Sequence, residues 1–571
     1  MTTTLKSFRF SPVACLLIVA LALGWLLPNH YAPWLAFHSN AWVGIVLILF
    51  FLWGVIFRPI RAGVDAAVTF LFAVSLIPLL QYAFGTIPLR SDAFLLFLYL
   101  FGAATAYWLA RAMGGHPVGG AGALVLCSMG IASIASVGIA TYQWLGLAQD
   151  LGFFDIWILA FVDQTRPYAN IGQTNQLASL LLCGLLSVAW GWRRGFWGAG
   201  TSILAACWIL WGVALTESRT ALLTLAVAMI LLVLIRPAAL SRREIYCVMS
   251  LFAFYMLALF AKPALAEAIG IDMPLTILER SAGELRWSLW KMAFDASLAS
   301  PFWGVGWGRS NVGYFLVYEN YQQIFGNSYF EQSHNIILDL ALWVGWPLAI
   351  CILSAVGYWF WRVLRKVKSD ESMILLAAMF VLGTHAMLEL PLHYGYFLWP
   401  FFVFAGSLSL VLQDSTTREP TARKPLIVLL LTTLLVVSLL IVKDYLKIEQ
   451  AFTELRFQVA RVGSGHDETL PDTLILSDWP DVIALARSRP RIGMSQEEIA
   501  HWEALLAYHT SPLALRKVIG AHRLNGHESE ARAWATRACW LLNKKACQGL
   551  LDEWPRPDAA TLGSASGSNT R

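Results

Sequence analysis

The chain has 571 residues, of which 58% are hydrophobic and 13% charged, about half the charge of an average soluble domain, for which roughly 25% is typical. That composition excludes a soluble globular enzyme and reads as an all-α polytopic membrane protein. The net charge of +5 is small for this length, and no basic stripe with interleaved aromatics lies outside the apolar runs, which excludes nucleic acid as a partner.

Apolar runs of spanning length fall near 12–27, 41–57, 64–84, 93–110, 120–147, 171–190, 199–216, 220–235, 244–262, 336–361, 372–389, 395–412 and 425–443. They predict about thirteen transmembrane helices. The first run follows Lys6 and Arg9 as a signal peptide would, but no small-residue cleavage site follows it, so it reads as a retained helix. Alternate connections carry Arg58 and Arg61, Arg111, Arg193 and Arg194, Arg236 with Arg242 and Arg243, a cluster from Arg362 to Lys368, and Arg418 to Lys424. The intervening short ones carry only Arg90, Arg166 and Arg219. The imbalance puts the N-terminus in the cytoplasm and, with an odd number of spans, the long loop and the C-terminus outside, in the periplasm of a bacterium.

Four polar clusters then fall on that outer side. The sixth span opens with T-R-P-Y-A-N-I-G-Q-T-N-Q from Thr165, placing Gln173 and Asn175 just inside the boundary, where unpaired amides are costly. They read as ligands, or as helix caps and interhelical bridges. The turn Leu215-Thr216-Glu217-Ser218-Arg219-Thr220 is too short to hide Arg219, which reads as a snorkelling arginine or an anion ligand. A long polar loop, 263–335, carries Arg280, Glu284 and Arg286 in E-R-S-A-G-E-L-R-W-S-L-W, where Trp287 and Trp290 would lay a helix along the membrane interface. It continues through P-F-W-G-V-G-W-G to Q-S-H-N, which sets His334 at the edge of the next span, a costly place for a polar group without partners or work. Last come His385, Glu389, His393, Tyr394 and Tyr396 in T-H-A-M-L-E-L-P-L-H-Y-G-Y.

Beyond Lys443 the chain turns amphipathic and a polar tail follows. From Ser495 to Leu551 it reads as paired helices with small residues at packing positions, similar to tetratricopeptide hairpins but too few for a solenoid. The end, 557–571, reads as disordered. Six cysteines lie in apolar runs; Cys539 and Cys547 lie in the tail and could pair if it is exported. No spacing suggests a zinc site. The expected division is 1–198 N-terminal membrane region, 199–412 catalytic membrane core including the loop, 413–443 last span, 444–556 periplasmic helical domain and 557–571 tail.

The order of these motifs resembles the O-antigen ligase superfamily and, more narrowly, the PglL-type bacterial O-linked protein oligosaccharyltransferases. The ligase-like part covers roughly 200–410: the arginine of E-S-R-T, L-R-W-S-L-W-K-M-A with P-F-W-G-V-G-W-G, and S-H-N. R-P-Y-A-N-I-G-Q-T-N-Q-L-A and E-L-P-L-H-Y-G-Y-F point to the protein-glycosylating branch, with Thr174 standing where a proline is expected. The resemblance implies that His334 is essential, that Arg219 and Arg286 hold a lipid diphosphate, and that Gln173 is a functional amide. It also implies an undecaprenyl-diphosphate-linked oligosaccharide as donor, a serine or threonine of a pilin-like periplasmic protein as acceptor, the inner membrane as location, and no metal or other cofactor.

The residues suit that chemistry. A leaving diphosphate needs cations, and guanidinium groups can grip two phosphate oxygens at once. The attacking hydroxyl needs a proton acceptor, and histidine titrates near neutrality. His334 is therefore the expected general base, or else orients the diphosphate, with Glu389 second; Arg280, Asn175, Tyr394 and Tyr396 complete the expected substrate-binding set. Rivals are an O-antigen ligase acting on the lipid A core and, from another class, a lipid-linked sugar transporter. A transporter would place its charges near mid-membrane within a repeated half.

Overall fold

A computed structural model of the chain describes residues 11–58, 60, 63–114, 120–149, 156–161, 166–235, 241–271, 285–325, 330–413, 423–506, 510–539, 542 and 544–552. Arg280, Glu284 and the expected tail 557–571 lie outside them. The chain is an all-helical membrane protein. Its helices run α1 (Pro12–Leu23), α2 (Phe37–Phe57), α3 (Ala66–Ser75), α4 (Ile77–Ala83), α5 (Arg90–Ala112), α6 (Ala121–Trp144), α7 (Thr174–Arg193), α8 (Ala199–Thr216), α9 (Arg219–Ile235) and α10 (Arg242–Ala268). After the loop helices α11 (Arg286–Ala299), α12 (Ser310–Phe315) and α13 (Gln322–Phe325) come α14 (Ile336–Val344), α15 (Trp346–Lys366), α16 (Asp370–Ala386), α17 (Gly395–Leu408) and α18 (Lys424–Ala460). Five short helices close the chain: α19 (Trp479–Arg487), α20 (Gln496–Leu505), α21 (Pro512–Leu524), α22 (Glu528–Ala538) and α23 (Lys544–Asp552).

Among the described residues ten helical stretches are long and apolar enough to cross a membrane, counting α3 and α4 as one, with α1 and Arg219–Ile230 as shorter apolar helices. Every expected span has a helix, but two boundaries differ. The run 336–361 is broken at Gly345, so the 21 residues of α15 form the crossing piece and α14 is a separate nine-residue helix. The run 372–389 ends early: α16 stops at Ala386, and a turn carries Glu389.

Where helices cross closely, small residues face one another, because lipid offers no hydrophobic drive and packing must come from close approach. Gly184 of α7 lies against Ser133 of α6, and Gly130 of α6 against Ser187 of α7. Gly406 of α17 leaves room for the Tyr107 carbonyl of α5, which a Cβ would meet at 2.1 Å. The polar clusters gather at one end of the bundle, here the site end. At the other, Arg193 pairs with Glu244 and Asp370, each at 2.8 Å, and Arg194 with Glu371.

The 37 residues of α18 make a rod of roughly 55 Å, well beyond the roughly 30 Å of a bilayer core, so it projects from the site end. Buried Asp444 on its projecting half accepts hydrogen bonds from the amides of Leu474, Ile475 and Leu476 at 2.9, 2.6 and 3.1 Å. Those bonds tie the tail to the rod, and Asp478 accepts from the Ser91 amide of α5 at 2.6 Å. Antiparallel α21 and α22 form a helical hairpin as the tail's alanine spacing suggests, and Cys539 and Cys547 are disulfide-bonded.

Candidate active site

The site end is built by four short polar segments, each held by its own neighbours. Ser333-His334-Asn335 is the clearest. The Asn335 side chain accepts from the amides of Ile337 and Leu338 at 3.0 and 3.4 Å, capping α14, as short polar side chains do for the first unsatisfied N–H groups. Buried Asp339, one turn into α14, accepts from the Ser333 amide at 2.9 Å and the Ser310 hydroxyl at 2.8 Å. These bonds bracket His334, whose φ of +59° costs a non-glycine residue about 1–3 kcal/mol and persists where the surroundings enforce it. The C-terminal end of α14 is clamped just as tightly. Its Leu342 and Trp343 carbonyls accept from the amides of Val305 (2.8 Å) and Gly306 (3.2 Å), and the Gln81 amide also donates to Trp343 at 2.8 Å. P-F-W-G-V-G-W-G thus closes over the helix end, and Gly304 is required there because a Cβ would stand 2.6 Å from the Trp343 carbonyl.

His334 Nδ1 donates to Glu389 Oε2 at 2.9 Å. A carboxylate can only accept, so this bond fixes the tautomer and leaves Nε2 as the basic nitrogen, the arrangement by which an acid behind an imidazole prepares a general base. The other oxygen, Oε1, accepts from Arg286 and from the Asn175 amide (3.1 Å). Glu389 is buried while the His334 side chain is 29% exposed, so the carboxylate is the inner member and the imidazole the outer. Burial works to raise the Glu389 pKa, but the hydrogen bond from His334 and the charges of His334 and Arg286 outweigh it and hold the group below its ordinary value.

Asn175 also accepts from the Ser218 hydroxyl at 2.8 Å, which ties the amide segment to the turn bearing Arg219. That turn is shaped by a pair the sequence reading did not single out. Lys262 of α10, fully buried, donates to Glu217 Oε1 at 2.7 Å and to the Leu215 carbonyl at 3.2 Å. Glu217 sits at φ +45°, so the lysine both caps α8 and pins the strained residue from which Ser218 and Arg219 follow.

Arg166 is the second residue missed. Half-buried in the segment before α7, it is electrostatically coupled to Arg219, Glu389 and Arg286; burial, then Arg219 and Arg286, pull its pKa down while Glu389 opposes them. Arg166 stood against the topological charge trend as Arg219 did, so the same signal would have found it. Lys262 was legible as a charge at the edge of an apolar run.

The expected site residues therefore divide. His334, Glu389, Arg286 and Asn175 are in direct contact, and Arg219 is one residue from Ser218, which bonds Asn175. Gln173 precedes α7 half-buried, with no side-chain hydrogen bond among the described residues. The buried Tyr396 donates its hydroxyl to Gln176, and the Tyr394 ring packs against the Tyr396 ring at a tilt, with ring centres 5.3 Å apart. The two histidines that flank Glu389 in the sequence do not hydrogen-bond its carboxylate. His385 Nδ1 meets the Ser179 hydroxyl at 2.7 Å, and His393 packs edge-on against Trp343. Among the described residues no group of three or more His, Cys, Asp or Glu is placed to hold a metal ion.

Comparisons with known proteins fit this geometry. Residues 204–353 match the family model described as O-antigen ligase, 373–548 one described as virulence factor membrane-bound polymerase, C-terminal, and 167–192 one described as protein glycosylation ligase. The general O-oligosaccharyltransferase of Acinetobacter baylyi is 26% identical over 421 residues, covering 70% of each chain. The ComP-specific O-oligosaccharyltransferase of the same organism is 27% identical over 256 residues, covering 43% of this chain and 44% of that one. An all-helical membrane protein with these relatives and a carboxylate-backed imidazole among arginines is a membrane glycosyltransferase. Within that class the chain is similar to the PglL-type O-linked oligosaccharyltransferases of the O-antigen ligase superfamily.

Proposed function

We propose that the chain transfers an oligosaccharide en bloc from undecaprenyl diphosphate to a serine or threonine of a periplasmic protein such as a pilin. His334 Nε2 takes the acceptor hydroxyl's proton as the oxygen attacks the anomeric carbon. The C1–oxygen bond to phosphate breaks, and the lipid diphosphate leaves with the electron pair. Glu389 orients the imidazole and stabilises it once protonated. Arg219 and Arg286 hold the diphosphate; Gln173, Asn175, Tyr394 and Arg280 contact donor or acceptor, and Tyr396 supports Tyr394. The cations this site supplies are guanidiniums, which suit a diphosphate without a metal.

The observation that carries the reading is the 2.9 Å bond from His334 Nδ1 to a carboxylate that also binds Arg286. It sets a base beside a cation, as displacement at a sugar diphosphate needs. The basic connections at the opposite end support an inner-membrane protein with its site and C-terminus in the periplasm. The division at 198, 412, 443 and 556 is proposed with it. The rival reading, transfer to the lipid A core, rests on the O-antigen ligase match alone. Offering reconstituted enzyme a pilin-type protein and core lipid side by side separates the two. Glycan is expected on protein only; glycan on core lipid overturns the reading.

A further inference from the structure

The loop that carries Arg286 presents an apolar surface that the reaction does not use. One face of α11, with Leu289, Met292, Ala293 and Ala296, is buried against α14. The opposite face exposes Trp287, Phe294 and Leu298, spaced along one stripe, and leads into Phe302 and Trp303, which are 70% and 83% exposed. These two aromatics are rigidly presented. The Pro301 carbonyl accepts from the Trp346 amide at 2.8 Å, Gly304 donates to Ser300 at 3.2 Å, and the next two amides clamp α14. Gly345 lies flat against the Phe302 carbonyl, which a Cβ would meet at 2.4 Å. Lys291, on the same stripe, reaches back to the Tyr321 hydroxyl (3.0 Å) and Asp295 (3.2 Å).

The depth of this surface follows from α15. Its 21 residues rise roughly 31 Å, the thickness of a bilayer core. Ile350, Tyr358, Trp361 and Leu364 face outward along it, and at its far end Arg362 and Arg365 lie over the Tyr358 and Trp361 rings. That end marks one membrane interface. The near end, where the Trp346 amide meets the Pro301 carbonyl and the Trp346 ring meets Phe294 of the α11 stripe edge-on at 6.0 Å, falls at the depth of the other, and there Phe302 and Trp303 protrude. Aromatic side chains favour that depth.

We propose that the outward stripe of α11, with Phe302 and Trp303, seats in the headgroup layer of the bilayer and makes the Arg286 side of the site its lateral entrance for the lipid donor. The seat needs only a membrane; its use as an entrance rests on the transfer reaction proposed above.

The test has two arms on the full-length protein in phosphatidylcholine–phosphatidylglycerol vesicles. In the first, Trp303→Cys carries an NBD fluorophore, with wild-type protein labelled in parallel to subtract other cysteines. Nitroxide-bearing lipid is expected to quench the Trp303 signal and aqueous iodide to leave it; iodide quenching without nitroxide quenching overturns the seat. In the second, the Phe302→Ser, Trp303→Ser double variant is expected to raise KM for a long-chain lipid donor about tenfold, the least expected when a buried aromatic is withdrawn from an apolar environment. KM for a short-chain donor and for the acceptor stay unchanged. A rise in acceptor KM instead assigns the face to the acceptor protein and overturns the entrance, as does no change at all. Should wild type transfer nothing, the proposed reaction fails while the fluorescence arm still decides the seat.

Discussion

At the residue scale, the site depends on side chains that hold charge and geometry for one another. If Arg219 grips phosphate oxygens in pairs, lysine keeps the charge and loses the fork. Arg219→Lys is expected to lower transfer ~10-fold or more, the worth of one charge-assisted hydrogen bond; a wild-type rate would show that charge alone suffices. Lys262→Met removes the ammonium from beside the buried Glu217 carboxylate, and removing one partner of a buried pair costs about 3–5 kcal/mol. Thermal unfolding in detergent should fall sharply for this single variant and much less for Lys262→Met with Glu217→Leu. His393 gives a pH signature. Burial, and then the charge of nearby His334, lower its pKa from 6.5 to about 4, so the folded state keeps it neutral where the unfolded state takes a proton. Stability is complete above pH 6.5 and lost as pH falls toward about 4. His393→Phe should flatten that loss in unfolding temperature between those limits.

At the scale of elements, α14 shows what a sequence reveals and what it hides. The apolar run from Ile336 and the S-H-N before it announced a helix with a histidine at its start. Gly345 was hidden inside the same run, because hydropathy continues across a break that only the backbone records: φ +78°, with Phe302 against the missing side chain. Gly345→Ala is expected to cost about 1–3 kcal/mol, measured as a lower unfolding temperature, and to disturb Trp303 with it. Glu389 teaches the converse. Along the chain it lies between His385 and His393, four positions from each. The turn after α16 instead aims it at His334 and Arg286, 55 and 103 positions away in sequence, a pairing that spacing cannot express. The spans themselves, the amide-rich opening of α7 and the turn before Arg219 were legible because polar groups at membrane boundaries are conspicuous; Arg166 was equally conspicuous but unused.

At the scale of the whole molecule, the tail is joined to the membrane bundle at several points, among them Asp444 with its three backbone hydrogen bonds, Ser91 with Asp478, and the packing of Phe37 and Tyr445 on Leu476 and Trp479. Asp444→Ala leaves three amides without their acceptor, each worth about 1–3 kcal/mol if buried. Limited proteolysis should then cleave between α18 and α19 while the bundle stays intact; unchanged resistance would show the tail is held elsewhere. The bundle brings segments far apart in sequence to one end, where the His334 imidazole, the Glu389 carboxylate and the Arg286 guanidinium meet, and the proposed reaction makes that imidazole the base. The most direct measurement of that claim is transfer by His334→Ala in vesicles, with binding of the lipid diphosphate donor followed in parallel. The expected result is donor bound at near wild-type affinity with no glycan transferred. Transfer at a wild-type rate would contradict the assignment of the base.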